Sequence, residues 1–524
     1  MLRKVLLVMG GTLASRVLGL VRQALFNALY PDALKDAFNV AYRVPNLLRE
    51  LLAEGAVQNA LIPLLKGLPP KESRPFARRF YAFLLGVNLF LLGAGYLLAP
   101  LVVDLLVAQE SHLRQEALFG QVVYLTRLLL PFLLGISLAA LFSALLQAEE
   151  RFLPYALGPI AFNLVTILLM ALFPGDPTVL GLSVALGGIF QALVQLPFLR
   201  GFFPEWRWHP ALGQALLRIG PFAFTTSLRQ FLNLVLTHIL TRYPQAAVTG
   251  FYNAEVIFQM FLGLFATSPA IALFPRMSTL RGAELARFLR GPLARVGLLL
   301  GLLSGLVVGL APYGVVLLFG LFGPLSPENR RYSAEVLTAL GLALLPWGLN
   351  TLLLRGLYAL GRVREAVAAS ALVFLSNTLG YWLLRDVGLF LLNLSTALAG
   401  YLGLFLYLFL LRREGVGGLG VGGLLLRLFL LNLSTALAGY LGLFLYLFLL
   451  RREGVGGLGV GGLLPRLFLL SLLAALPGLL LQKAIPAFIP KEALPPLFLG
   501  GGLGALLYGA GALLLRLSLP RLGR

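Results

Sequence analysis

The stretches SRVLGLVRQALFNALY (15–30) and DAFNVAYRVPNLLRELLAEGAVQNALIPLL (36–65) decide how this chain is interpreted. Both are long and mostly apolar, so each predicts a helix, yet charged side chains recur inside them. These are Arg16, Arg22, Asp36, Arg43, Arg49, Glu50 and Glu54. A charge at the centre of a bilayer costs about 2.5–3.5 kcal/mol on insertion scales. We therefore expect these side chains to face protein or water, and the arginines favour an anionic ligand.

The composition indicates the class of protein. Of 524 residues, 59% are hydrophobic and 12% are charged, and the mean hydropathy is +0.89. Long continuous apolar runs recur to the end of the chain, which predicts an all-α polytopic membrane protein and excludes a β-barrel. No cysteine is present, so thiolate catalysis and disulfides are excluded. We attribute the net charge of +21 to the bias of cytoplasmic loops toward Lys and Arg and to attraction for anionic lipid, and not to nucleic-acid binding.

The apolar runs predict about fourteen transmembrane helices in two six-helix lobes plus C-terminal helices. Trp206 and Trp208, in FFPEWRWHP (202–210), look like interfacial anchors between the lobes. Basic loops alternate with basic-poor loops, which places the N-terminus in the cytoplasm; residues 1–27 do not look like a cleaved signal peptide. The predicted parts are an N-lobe of spans one to six (1–200), an interfacial linker (201–212), a C-lobe of spans seven to twelve (213–411), a duplicated span with Gly-rich loops (412–464) and a C-terminal helix pair (465–524).

A tandem duplication complicates the C-terminal region. Residues 389–431 match residues 428–470 with one difference, Leu426 against Pro465. Each copy holds one apolar span, so the second copy adds a fifteenth candidate span and would place the later arginines outside, against the charge rule. We interpret the second copy as a sequence artefact or a recent insertion that is not a normal part of the fold. The loop GVGGLGVGG is not a nucleotide-binding fingerprint, because no strand precedes it.

The N-terminal pattern resembles the MurJ/MviN family of lipid II flippases, within the MATE-like (MOP) exporter superfamily. The matching stretches are GTLASRVLGLVRQAL (11–25), residues 36–65, FYNAEVIFQMFLGLFATSPAIALFP (251–275) and, more weakly, RGLYALGRVREAV (355–367). The resemblance implies fourteen spans, two lobes around a central cavity and a groove for the lipid tail at the last two helices. One copy of the repeat gives fourteen.

By that resemblance, five side chains match polar positions of the family's cavity: Arg16, Arg22, Asp36, Arg49 and Glu54. The family usually has an Arg and a Glu in span eight, where this chain has Val256 and Gln259. Arg229, in the apolar span TTSLRQFLNLVLTHIL, is a hypothetical replacement for the missing positive charge. These six residues form the predicted substrate-binding set, with no catalytic residue.

Several of these assignments have a plainer alternative. Arg16 and Arg22 would snorkel to the interface if they did not line a cavity, but Arg16 lies roughly 18 Å along a helix from Lys4, which is deep for snorkelling. Arg43 and Glu50 are expected to form internal pairs or reach the interface. Glu54 is expected to orient Arg49 for a phosphate. Asn377, Asn393 and Thr396 could offer oxygens to Na⁺, but helix–helix hydrogen bonding is preferred.

The sequence thus predicts a non-enzymatic flippase for a polyprenyl-pyrophosphate-linked saccharide–peptide lipid, acting as a monomer in the bacterial cytoplasmic membrane. Alternating access would be driven by the membrane potential or an ion gradient; no cofactor is predicted, and Na⁺ or H⁺ coupling is left open. The alternative is a MATE-like exporter of a polysaccharide-unit lipid or a drug, although cationic drugs would want carboxylates. A polyprenyl-phosphate enzyme would need acidic loop clusters for Mg²⁺. A scaffold would not explain mid-membrane arginines.

Overall fold

The computed structural model describes residues 2–52, 61, 65, 67, 69–149, 151–199, 201–208, 212–213, 230, 232–416, 471, 473–482 and 490–514. Within these residues every long element is a helix. The α-helices are α1 (Leu2–Leu29), α2 (Asp32–Leu52), α3 (Pro70–Leu106), α4 (Glu116–Leu129), α5 (Pro131–Ala148), α6 (Phe152–Leu172), α7 (Pro177–Leu193), α8 (Ala247–Leu262), α9 (Ser268–Met277), α10 (Gly282–Phe319), α11 (Pro327–Ala359), α12 (Val363–Leu383), α13 (Leu389–Arg413) and α14 (Pro490–Leu514).

The chain forms two compact units. The first comprises Met1–Thr249 with Phe319–Ser326, and the second comprises Gly250–Leu318 with Pro327–Arg524. The lobe boundary predicted at 201–212 precedes a stretch, 214–229, that lies outside the described residues. The proposed division of the chain into lobes, linker and C-terminal pair therefore stays a prediction.

In the first unit, α5 and α6 both pack against α7, α1 packs against α6, and α2 packs against α4. Proline ends one helix and begins the next where α4 meets α5, because Pro131 has no N–H to continue the ladder. Glycine allows the closest approach of α5 and α7. A Cβ on Gly135 would lie 2.2 Å from the carbonyl carbon of Gly188, so only glycine fits there.

In the second unit, α11 and α12 both pack against α13. The amide of Asn350 donates to the carbonyl of Gly400 at 2.8 Å, and the indole N–H of Trp347 donates to the carbonyl of Thr396 at 2.8 Å. These bonds join α11 to backbone carbonyls of α13. Gly400 and Gly403 on α13 leave room for the side chains of Trp347 and Asn350. The first copy of the repeat therefore forms the helix that packs here.

Ten helices or helix pairs in the described residues are long and apolar enough to cross a membrane. They match predicted spans three to six, eight to twelve and the last one, and the prediction of an all-helical polytopic membrane protein is confirmed. Residues 417–470, which contain the second copy of the repeat, lie outside the described residues.

Candidate functional site

Small residues on α1 bring it close to α6. Gly11, Ser15 and Gly19 are four residues apart and share one face. A Cβ on Gly11 would lie 2.7 Å from the Cβ of Ala156, and the amide of Asn163 donates to the carbonyl of Ser15 at 3.2 Å. Small residues at this spacing let membrane helices pack with their backbones in contact. The position of α1, which carries Arg16 and Arg22, is thus set by the packing of these small residues against α6.

Arg22 lies over an aromatic ring of the neighbouring helix. Its guanidinium carbon is 5.1 Å from the ring centroid of Phe162 on α6. The side chain is partly buried, and it has no carboxylate partner among the described residues. A cation held by a ring keeps all its N–H donors available, because the ring attracts it through its π face. Arg22 is therefore positioned without being neutralised.

A series of packed aromatic rings ends at Phe162. Successive ring centroids are separated by 5.2 Å (Phe26 to Phe38), 5.9 Å (Phe38 to Tyr42), 5.7 Å (Tyr42 to Phe132) and 5.7 Å (Phe132 to Phe162). The series joins four helices of the first unit, and packed aromatic pairs each add about 0.5–1.5 kcal/mol beyond area burial. Rigid rings hold the wall on which Arg22 lies.

Arg49 brings a second positive charge to the same region. Its Nε donates to Oδ1 of Asn46 at 3.0 Å, and the Arg22 and Arg49 guanidinium groups interact as like charges. Two like charges in the same region of a membrane protein favour an anion between or beside them. We refer to Arg22 and Arg49 as the arginine pair.

Asp36 has a different environment from the arginine pair. It has no exposed surface. One carboxylate oxygen accepts from the N–H of Ala246 at 2.7 Å, and the other accepts from the N–H and the hydroxyl of Thr249 at 2.8 and 2.6 Å. Those groups form the start of α8, so Asp36 caps that helix from α2.

The cap compensates for a sequence that cannot cap itself. Ala246, which precedes α8, has a φ of 74° and no polar side chain. A left-handed alanine costs about 1–2 kcal/mol, so other bonds must hold it. The Nε2 of His112 lies 3.4 Å from Asp36 and completes the polar surroundings of the carboxylate. Asp36 is thus committed to structure here, and its predicted contact with substrate stays a prediction.

The other predicted site residues are placed only in part. Arg16 is partly exposed on α1, and Arg43 is buried on α2. Glu54 and Arg229 lie outside the described residues, as does the side chain of Glu50. On α8, Val256 is partly buried and Gln259 is exposed.

The polar residues weighed as a Na⁺ site in the second unit are hydrogen-bonded to neighbouring protein groups. Ser395 donates to Oδ1 of Asn377 at 3.0 Å, and the hydroxyls of Tyr381 and Thr396 are 2.7 Å apart. The amide of Asn393 donates to the carbonyl of Leu389 at 2.8 Å. The bonds of Asn377 and Thr396 join α12 to α13, as the preferred alternative predicted, whereas the bond of Asn393 lies within α13. No group of three His, Cys, Asp or Glu that could hold a metal is present in the residues searched, which are the described ones.

Several residues that build the site escaped the sequence analysis. Phe162, Asn46 and Thr249 carry no charge, and two of them lie more than a hundred residues from their partners. Gly11, Ser15 and Gly19 did give a readable signal, a small residue at every fourth position of a membrane helix.

The helices of this chain have the fold of membrane transporters of the MATE type. A MATE family transporter of the MOP superfamily, in an inward-facing conformation, has the same fold with a TM-score of 0.59 at 13% identity, covering 76% of this chain and 95% of that one. A solved structure titled "Lipid II flippase MurJ, inward closed conformation" gives a TM-score of 0.69 at 19% identity, covering 92% of this chain and 98% of that one.

Sequence comparison narrows the class to one family. The family model described as "Lipid II flippase MurJ" matches residues 26–481, so this chain belongs to the MurJ family. A relative named "Lipid II flippase MurJ" from Burkholderia cenocepacia is 28% identical over 437 residues, which is 79% of this chain and 84% of the relative. A relative named "Probable lipid II flippase MurJ" from Rhizobium meliloti is 29% identical over 379 residues, 68% of this chain and 70% of that protein.

Proposed function

We propose that this protein flips lipid II, the lipid-linked peptidoglycan precursor, from the cytoplasmic to the outer leaflet of the bacterial cytoplasmic membrane. Membership of a family named for that activity supports the proposal. The observation that carries it is Arg22, whose guanidinium lies over the ring of Phe162 inside a helical membrane unit with no carboxylate partner among the described residues, and with the like charge of Arg49 in the same region.

The chemistry of the substrate explains the choice of arginine. Lipid II carries a pyrophosphate and a saccharide–peptide head that cannot cross hydrocarbon unaided, while its prenyl tail can stay in the lipid. A guanidinium group remains charged and binds two phosphate oxygens with its planar fork. Side chains that replace the water around the pyrophosphate lower the barrier to crossing, and alternating access exposes them to one side at a time.

The six predicted residues receive distinct roles in this proposal. Arg16, Arg22 and Arg49 contact the pyrophosphate, and Glu54 orients Arg49. Arg229 supplies the positive charge that Val256 and Gln259 do not. Asp36 acts on the substrate indirectly, because its carboxylate caps α8. The protein catalyses no chemical reaction, acts as a monomer, and has its N-terminus in the cytoplasm.

Dissipating the membrane potential should stop export. With the interior negative, each anionic charge moved outward gains about 2.3 kcal/mol per 100 mV, and the arginine pair selects an anionic head. Cells that depend on this protein would be treated with a potassium ionophore at matched external potassium, and lipid II in the outer leaflet would be measured. The control is an ionophore treatment that clamps the pH and leaves the membrane potential in place. Undiminished export at zero potential would remove this driving force and leave an ion gradient.

One copy of the repeat should suffice for function. The first copy forms α13, which is hydrogen-bonded to α11 and α12, and a single copy restores the alternation of basic loops. Deleting 389–427 or 428–466 leaves the same chain except for Pro465 or Leu426. Both deletions should support growth of a strain depleted of its lipid II flippase at least as well as the full chain does. Loss of growth with both deletions, at equal protein levels, would show that the second copy is required.

A MATE-like exporter of another anionic lipid is the second candidate, because the fold is shared with transporters of that type. The same depleted strain separates the two candidates. An exporter of polysaccharide units would restore capsule or O-antigen export in a suitable mutant and would not restore growth here.

A further inference from the structure

A groove in the first unit lies apart from the arginine pair. It lies between α3 and the segment 201–208, has a volume of 650 Å³ and shares no lining residue with the pair. We call it the linker groove. The lining residues that the argument uses are Arg79, Phe83, Gly86, Phe90, Trp206 and Arg207.

The segment that forms one wall is anchored to α3 and α5. The N–H of Glu205 donates to the carbonyl of Arg78 at 3.1 Å, and Nε of Arg78 donates to the carbonyl of Phe203 at 3.0 Å. Phe202 stacks on Tyr81 of α3 with ring centroids 5.8 Å apart, and it meets Phe142 of α5 edge-on with centroids 6.2 Å apart. Main-chain and side-chain bonds in both directions fix the wall, so the groove is a built feature of the surface.

The groove changes from charged to apolar along α3. Arg79, Phe83, Gly86 and Phe90 recur every three or four residues and share one helix face. The distance from Arg79 to Phe90 along the helix is roughly 16 Å, close to half of the roughly 30 Å hydrocarbon core. The groove thus has the length of one acyl chain, with its charged end at the polar end of α3.

Exposed aromatic rings mark the interface level. Trp206 and Trp208 are 66% and 67% exposed, and Phe90 is 73% exposed. The ring of Trp206 lies 3.5 Å from the position of a Cβ on Gly86, so the indole rests against α3 where that helix has no side chain. Tryptophan prefers the headgroup level, and exposed phenylalanine prefers acyl chains. We therefore expect this surface to face lipid.

The charged end selects an anion. Two arginines, Arg79 and Arg207, line the groove together with one carboxylate, Glu205. Arg79 bonds Glu205 through a terminal nitrogen at 3.3 Å, but its buried Nε has no hydrogen-bond partner among the described residues. A buried donor without a partner is uncommon and points to a group that the protein alone does not supply.

We infer that the linker groove binds an anionic phospholipid of the bilayer, with the phosphate at Arg79 and Arg207 and one acyl chain along Phe83 and Phe90. The charge balance favours an anionic lipid over a zwitterionic one. The bound lipid would fix the segment 201–208 at the membrane surface. This site is distinct from the arginine pair, since neither Arg22 nor Arg49 lines it.

Fluorescence quenching in nanodiscs tests the assignment on the full-length protein. Phosphatidylglycerol or phosphatidylcholine with brominated acyl chains would be added to a non-brominated phosphatidylcholine bilayer. The quenching lost in a Trp206→Phe/Trp208→Phe variant reports the groove. We expect brominated phosphatidylglycerol to quench this component at several-fold lower mole fraction than brominated phosphatidylcholine.

Variants that remove a charge test whether the groove causes the preference for phosphatidylglycerol. Arg207→Gln, whose side chain makes no bond that holds the segment, should weaken the preference roughly fivefold, as expected for one basic residue at a membrane surface. Arg79→Gln should do the same. Arg74→Gln is the matched control, because Arg74 is exposed on α3 outside the groove lining. Gly86→Leu should reduce quenching by both lipids, because the new side chain fills the path of the acyl chain.

Three results would overturn the inference. They are equal quenching by the two brominated lipids, an equal loss of preference in Arg74→Gln and Arg207→Gln, and displacement of phosphatidylglycerol by an equimolar prenyl-pyrophosphate lipid. The last result would assign the groove to the substrate instead.

Discussion

Replacing Arg22 with alanine should abolish growth of a flippase-depleted strain, and replacing it with lysine should reduce transport at least about tenfold. Lysine keeps the charge but loses the planar fork and stacks less well on Phe162, from whose ring the guanidinium carbon lies 5.1 Å. A hydrogen bond to a charged group is worth about 1.5–3 kcal/mol, which is about tenfold or more in rate if it is made at the barrier. Complementation and export of lipid II would be measured at equal protein levels.

Arg127 provides a matched control for this experiment. Its guanidinium carbon also lies over an aromatic ring, 4.6 Å from the centroid of Tyr96, and its Nε donates to the carbonyl of the same residue at 3.1 Å. Arg127→Lys should be tolerated, because the side chain is partly exposed and is not part of the arginine pair. A loss in Arg127→Lys as large as in Arg22→Lys would mean that cation–ring packing in general, and not substrate contact, explains the effect.

The same assay tests the proposed role of Arg229. If Arg229 replaces the arginine that the family usually has in span eight, Arg229→Ala should fail alongside Arg22→Ala. Growth with Arg229→Ala and none with Arg22→Ala would contradict the replacement and leave the arginine pair as the binding site.

Replacing Asp36 with asparagine should destabilise the protein by about 3 kcal/mol and abolish complementation. The carboxylate accepts three hydrogen bonds from Ala246 and Thr249 with no water access. Asparagine offers one oxygen, and its NH₂ group would face a donor, which leaves a buried N–H unpaired at a cost of about 1–3 kcal/mol in addition to the lost charge-assisted bond. Thermal unfolding followed by tryptophan fluorescence would measure the loss.

A second variant separates capping from substrate contact. Thr249→Val removes the hydroxyl, which donates to Asp36 at 2.6 Å and accepts from the amide of Asn39 at 3.2 Å, and it keeps both backbone donors to Asp36. It should lower stability by about 1 kcal/mol and leave transport largely intact at permissive temperature. If Asp36→Asn lost transport while its unfolding temperature stayed at the wild-type value, the capping role would be contradicted and direct substrate contact favoured.

Local patterns in the sequence were sufficient for the helices and for the charge pattern. Uninterrupted apolar runs predicted α3, α10, α11 and the other spans, because a bilayer imposes length and composition on any helix that crosses it. The repeat in 389–470 was readable by identity alone. The positions of Arg16, Arg22 and Arg49 inside apolar stretches also marked them as functional, since burial of a charge is costly wherever the chain folds.

What the sequence by itself determined, then, is an all-helical membrane protein with arginines that lipid cannot accept. Only the tertiary structure decided that Arg22 lies over Phe162 in the same region as Arg49. It also decided that Asp36 caps a helix that begins about 210 residues further along the chain. The physical reason is that hydropathy acts on each helix separately, whereas hydrogen bonds and ring contacts depend on which helices pack together. The sequence shows which charged side chains would be costly to bury, but only the tertiary structure shows which groups those side chains contact.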